Sequence, residues 1–123
     1  MKFTQETDTQ GNIIQAYWPG QIVVSGRTLE NSLIVTRERL LETWRPRTAA
    51  ELEADDLICI LEFEPEVVLL GTGPKQAFPA PDTLRPILER GIGLEVMDTA
   101  AACRTYNILM SEGRRVVAAL LMP

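Results

Sequence analysis

Apolar positions follow two regimes along this chain. Up to Thr36 they fall in short runs rich in β-branched residues and broken by turn signals. Ile13 to Trp18, the Pro19-Gly20 turn, Gln21 to Val24, the Ser25-Gly26 turn and Ser32 to Thr36 therefore read as short strands. From Val67 onward the apolar blocks are continuous. Val67-Val68-Leu69-Leu70 ends at Gly71, the pattern of a strand covered on both faces at or near the centre of a sheet. Ile92 to Met97 and Arg115 to Met122 are the next two strands, and Ala118 and Ala119 leave room for helices to approach closely.

Two helices separate these strands. After Pro74, Pro79 and Pro81, Asp82 can cap a helix with Leu84, Ile87 and Leu88 on one face and Gly91 closing it. Pro86 removes an early backbone hydrogen bond there, which predicts a regular part beginning a few residues after Asp82. Asp98 or Thr99 caps the second helix, whose stripe of Ala102, Cys103, Tyr106, Leu109 and Met110 runs to a stop at Gly113. Strand, helix, strand, helix, strand at short spacing implies right-handed crossovers in a partly parallel sheet.

The middle of the chain is less legible. Residues 37–47 lack alternation and contain Trp44 and Pro46, so a short helix and an irregular connection are expected. Thr48-Ala49-Ala50-Glu51 has capping-box spacing, which starts a helical turn. The run from Asp56 to Phe63 declares no period and is read as helix.

A length of 123 residues suits one domain, 1–123, and 46% hydrophobic with 24% charged residues is an ordinary globular balance. The net charge of -5 opposes a nucleic-acid partner, since such binding rests on cationic side chains replacing counterions. No apolar run approaches the ~20 residues of a membrane helix, and the start MKFTQETDTQGN has no apolar signal core. A cytoplasmic protein without membrane insertion is expected. The two cysteines, Cys59 and Cys103, have apolar neighbours and read as reduced core thiols. The chain has no histidine, which removes Ser-His-Asp and Cys-His catalysis and His-ligated zinc. Catalysis would fall to carboxylates, tyrosine, arginine, Lys75 or a borrowed cofactor; no catalytic residue, cofactor or metal site is predicted.

Gly71-Thr72-Gly73 leaves a strand end, where open α/β sheets bind ligands, and its glycines can bring backbone N–H groups close to an anion. The dinucleotide fingerprint is incomplete, because Gln76 occupies the third glycine position, and Lys75 is not placed as in a P-loop. A structural turn and a ligand loop both remain open, the turn ahead. Thr99 joins the candidate ligand set if its strand is a parallel neighbour, although an N-cap explains Asp98-Thr99 as well. Tyr106 and Asn107 lie about 10 Å further along that helix, outside a shared shell. Tyr106 reads as core with a tethered hydroxyl, and Asn107 needs solvent or a specific partner. Arg114 follows the helix stop and belongs at the sheet rim, paired with Glu112 or meeting a partner. Arg27, Arg37, Arg39, Arg45 and Arg47 form a basic stretch, while residues 51–66 hold seven acidic side chains and no basic one. Solvated faces explain both runs, and steering of a protein partner is the competing use.

Gly71-Thr72-Gly73, Gly91-Ile92-Gly93, Glu95 to Thr99, Thr105-Tyr106-Asn107 and Glu112-Gly113-Arg114, in this order and spacing, resemble the Mth-nine-three-eight-like family of unknown function. The similarity is strong from Val67 to Pro123 and fainter over Tyr17 to Gly26, Ser32 to Thr36 and Trp44. It implies an α/β, three-layer single domain with a central mixed sheet, an N-terminal β-hairpin region and a C-terminal βαβαβ unit. It leaves the direction of the last strand open. It also implies assembly work through protein partners, known in eukaryotic relatives. The expectation is a non-enzymatic protein-binding or assembly-type module; the alternative is a small-molecule or anion site at Gly71, Thr72, Gly73 and Thr99, with weak catalysis by Tyr106 or Arg114 left open in that case. A homo-oligomer stays open.

Overall fold

A computed structural model describes residues 11–123. The N-terminal stretch read for a signal core lies, up to residue 10, outside the described residues. The hairpin region is as expected, with β1 at Ile14–Trp18 and β2 at Gln21–Val24. A third strand, β3 at Arg27–Leu29, completes an antiparallel sheet of order β1-β2-β3. Sequence reading missed β3 because its three residues end in a single apolar position, too short to show a period.

The main sheet contains β4 (Leu33–Val35), β5 (Leu40–Leu41), β6 (Val67–Gly71), β7 (Gly93–Met97) and β8 (Val116–Leu120), in the order β5-β4-β8-β6-β7. It is mixed. β8 runs parallel to β6 and antiparallel to β4, which settles the direction of the last strand. β7 is parallel to β6 at the edge, and β8 holds the centre.

Strand alternation assigns the two core faces. Leu33, Val35, Val67, Leu69, Val116, Ala118 and Leu120 face one side, where they meet the first sheet and helix α3 (Thr99–Ser111). Ile34, Val68, Leu70, Val117, Ala119 and Leu121 face the other, against α1 (Ala54–Ile58) and α2 (Pro81–Leu88). Three layers result. From β6 the chain steps outward to β7 and then back past β6 to β8, so crossovers of one hand put α2 and α3 on opposite faces.

Three expectations need correction. Residues 37–47 form no helix: Thr36 Oγ1 accepts the N–H groups of Glu38 (3.3 Å) and Arg39 (2.9 Å), which turns the chain back so that β5 pairs with β4. Helix α2 starts at Pro81 with Ala80 as its N-cap, earlier than an Asp82 cap predicts. Proline suits the first helical position, where its missing N–H is an orphan in any case. Pro86 is accommodated within the helix, Leu84 and Ile87 are buried, and Leu88 points outward, 53% exposed. The Thr48 turn is a single 3₁₀ turn over Ala49–Glu51, capped by the Thr48 side chain as expected. Residues from Asp56 to Phe63 are helical as expected, α1 passing into a 3₁₀ segment at Cys59–Phe63.

The basic stretch is partly paired, once within itself and once with the acidic run. Arg27 reaches Glu42, and Arg45 holds Asp56 through two nitrogens at 2.6 and 3.0 Å. That hydrogen bond from Arg45 holds the Asp56 carboxyl below its usual value of 3.8. A carboxyl depressed in the folded state stabilises fully above its unfolded pKa, and the contribution disappears as pH falls through the lower folded value. Asp56→Asn should therefore be less stable than wild type near neutrality, with a shallower loss of stability below about pH 4. Urea midpoints across that range test this; parallel pH profiles for the two proteins would refute it.

Candidate functional site

The ends of β6, β7 and β8 are stitched together by two threonines. Thr72 N–H donates to Met97 O at 2.9 Å, and its hydroxyl donates to Lys75 O at 2.7 Å while accepting from Ala77 N at 3.0 Å. Thr99 is fully buried; its hydroxyl accepts from Gly73 N at 2.7 Å and donates to Leu121 O at 3.0 Å. Thr99 N–H in turn donates to Gly73 O, and Leu121 N–H to Gly71 O. Parallel pairing of β6 with β7 thus brings Gly71, Thr72, Gly73 and Thr99 together. Gly73 has φ of +97°, a conformation that favours glycine.

Helix α3 begins here, and its N-terminus is occupied from within: Asp98 caps it by accepting from Ala101 N at 2.8 Å. A carboxylate in that position takes the place an anion would otherwise fill. Above it the β1–β2 turn forms a roof. Tyr17, Trp18 and Pro19 face Gly73, Pro74, Asp98 and Ala100 across a hollow of about 280 Å³. Gly73 lines the hollow, whereas Gly71, Thr72 and Thr99 are not among its walls. Tyr17 is buried and its hydroxyl is pushed up, first by that burial and then by Cys103 and Asp98. Trp18 is 41% exposed at the rim. Sequence reading did not single out this aromatic pair, although Tyr-Trp directly before a Pro-Gly turn was a visible signal.

Tyr106 and Asn107 lie apart from that site and join α3 to the first sheet. The Tyr106 hydroxyl donates to Asn12 O at 2.8 Å, and burial raises its pKa. Asn107 behaves like a strand residue: its side-chain N–H donates to Ile14 O at 2.7 Å and its carbonyl accepts from Ile14 N at 3.0 Å. The partner its mid-helix amide requires is the outer edge of β1. Asn107→Leu should destabilise the fold by about 2 kcal/mol, since both Ile14 backbone groups lose a partner. Hydrogen exchange should quicken first at the Ile14 amide; uniform acceleration along the chain would show that no local tether was lost. Arg114 sits at the opposite end of the main sheet, with Nε 3.6 Å from Glu66, so its acidic neighbour is not the expected Glu112. Both cysteines are free thiols, and burial pushes the Cys103 thiol up to about 12, far from a thiolate at neutral pH.

A family described as protein of unknown function (DUF498/DUF598) matches residues 14–121. The chain is 32% identical over 121 residues to zebrafish NADH dehydrogenase [ubiquinone] 1 alpha subcomplex assembly factor 3, covering 97% of the chain and 69% of that protein. The match to the bovine protein of the same name, 44% identical, covers 58% of the chain and 39% of that protein. A 13 kDa major membrane protein of Francisella tularensis is 29% identical over 94% of the chain and 96% of its own length. Among the described residues no helix is long and apolar enough to cross a membrane. A crystal structure of a Bordetella parapertussis protein superposes with a TM-score of 0.86 at 41% identity, covering 94% of this chain and 99% of that one.

Proposed function

The chain belongs to the DUF498/DUF598 family, and from that premise we propose that it is a non-enzymatic protein-binding module of the assembly type, with residues 1–123 acting as one unit. One observation carries the reading. Both threonine hydroxyls at the strand ends are spent on backbone partners, and what remains for a visitor is an aromatic-walled hollow beside the exposed Trp18. Aromatic side chains are the usual anchors of protein contacts. The relatives named as assembly factors for NADH dehydrogenase [ubiquinone] suggest the partner class: a protein being incorporated into a larger complex.

In-cell cross-linking with wild type and Trp18→Ala tests this. Truncating an interface tryptophan costs on the order of 2 kcal/mol, so the variant should lose its partners about thirtyfold while keeping the wild-type far-ultraviolet spectrum. Equal recovery of the same partners by both proteins would overturn the reading, as would the absence of any specific partner.

The alternative, a small-molecule or anion site at Gly71, Thr72, Gly73 and Thr99, draws support from the same hollow, because Gly73 forms part of its wall. Asp98 as the cap of α3 weighs against an anion there. A ligand at 100 times its dissociation constant adds about 2.7 kcal/mol of stability. A panel of nucleotides, coenzymes and carboxylates that leaves the unfolding midpoint flat would count against this alternative. A rise abolished by Thr72→Val would favour it.

A further inference from the structure

The opposite end of the main sheet carries a second hollow, of about 300 Å³, whose lining includes Arg37, Arg39, Arg114 and Arg115. That is four of the chain's twelve basic residues on a molecule of net charge -5. They come from distant sequence: Thr36 turns the chain so that Arg37 and Arg39 meet the start of β8, while Glu62 and Phe63 close the third side. Among the described residues two carboxylates, Glu38 and Glu62, share the lining.

The guanidinium groups are held in place. Arg39 lies over the Phe63 ring, 5.3 Å from its centre, a cation–π arrangement. Arg115 Nε donates to Glu64 O at 3.0 Å, and Arg114 Nε lies 3.6 Å from a Glu66 carboxylate oxygen. The Arg37 guanidinium donates to Met110 O. Each contact described for Arg114 and Arg115 uses one nitrogen, whereas a guanidinium carries five N–H donors in a fork that matches a carboxylate or phosphate. Phe63, Val116 and Val117 add an apolar wall.

We propose that this hollow binds a small organic oxyanion: a carboxylate or phosphate monoester on a compact apolar body. The charged head meets Arg39, Arg114 and Arg115, and the body packs on Phe63. Glu38 and Glu62 limit the site to one anionic group and disfavour a polyanion such as nucleic acid. The site is independent of the partner surface at Trp18, which lies at the other end of the sheet, and either can fail without the other.

Phenyl phosphate, benzoate, inorganic phosphate and benzyl alcohol are the probes, each titrated into nitrogen-15-labelled full-length protein and followed by amide chemical shifts. Phenyl phosphate or benzoate should saturate shifts clustered at Arg39, Phe63 and residues 113–117, and binding should weaken as salt is raised. The preferred probe identifies the head group as phosphate or carboxylate. Inorganic phosphate and benzyl alcohol should each bind at least about tenfold more weakly, since each offers half of the recognition. Arg39→Gln with Arg114→Gln should weaken binding by tenfold or more, losing about two charge-assisted hydrogen bonds. Arg114→Lys, which keeps the charge and loses the fork, guards against a folding artefact and should also weaken it. Scattered shifts, an inorganic phosphate affinity equal to that of phenyl phosphate, or affinities unchanged in the variants would overturn the proposal.

Discussion

Thr99→Val is expected to lower the unfolding free energy by about 2–5 kcal/mol and the thermal midpoint by roughly 10 °C. Valine matches threonine in shape, so packing is nearly preserved and the loss is electrostatic. The hydroxyl has two buried partners, Gly73 N and Leu121 O, at 2.7 and 3.0 Å. Removing it leaves a donor and an acceptor without a partner in a position that water does not reach, because Thr99 has no exposed surface. Each such group costs about 1–3 kcal/mol. Thr99→Ser keeps the hydroxyl and should recover most of the loss. Calorimetry on the three proteins decides the matter: a valine variant within about 1 kcal/mol of wild type would mean that Gly73 N–H finds another acceptor.

Gly71→Ala should cost about 3 kcal/mol for a different reason. A Cβ on Gly71 would stand 2.9 Å from Thr99 Cα, 3.0 Å from Thr99 Oγ1 and 3.1 Å from Leu120 Cδ2. The leucine methyl can swing aside. The Thr99 backbone cannot move without shifting the start of α3 and lengthening the bond from Gly73 N–H. The absence of a side chain at Gly71 is therefore what lets α3 approach the sheet end closely enough for Thr99 to close it. Because both substitutions damage one contact, Gly71→Ala and Thr99→Val together should cost less than the sum of the two. Full additivity in denaturant unfolding would show that the helix start and the glycine turn are not coupled as described.

These two residues were visible in the sequence, but in another light. Gly71-Thr72-Gly73 at a strand end and Thr99 at a helix start form a pattern shared by ligand loops and by structural turns. What separates the two is where the hydroxyl protons go, and spacing carries no such information. The same limit applies to the hollow beside them. Its walls come from the β1–β2 turn and from segments about 55 and 80 residues further along the chain, a juxtaposition that arises only when α3 docks on the first sheet.

Local periodicity determined a good deal. The continuous runs at Val67–Gly71 and Val116–Leu120 predicted doubly covered strands, and both are wholly buried. The stripe on α3 predicted its buried side, with Ala102, Cys103, Tyr106 and Met110 all buried. It predicted these because long elements repeat their signal at each turn or alternate residue. Short elements repeat nothing, so β3 and β5 were missed, and the reversal at Thr36 was mistaken for helix because its cause is one hydroxyl bonded to two backbone amides.

By itself the sequence determined the α/β class, the β6-α2-β7-α3-β8 order and the lack of imidazole chemistry, since each follows from residue type and local period. Tertiary structure alone decided the rest. The direction of β8 depends on its seat between β4 and β6, antiparallel to one and parallel to the other, while its own apolar run reads the same either way. The tie between Asn107 and Ile14 spans 93 positions, and the meeting of Arg39 with Arg114 and Arg115 likewise joins distant segments. Such contacts form only after the loops between them have lost their entropy to the core, and no local pattern records which surfaces the core will bring together.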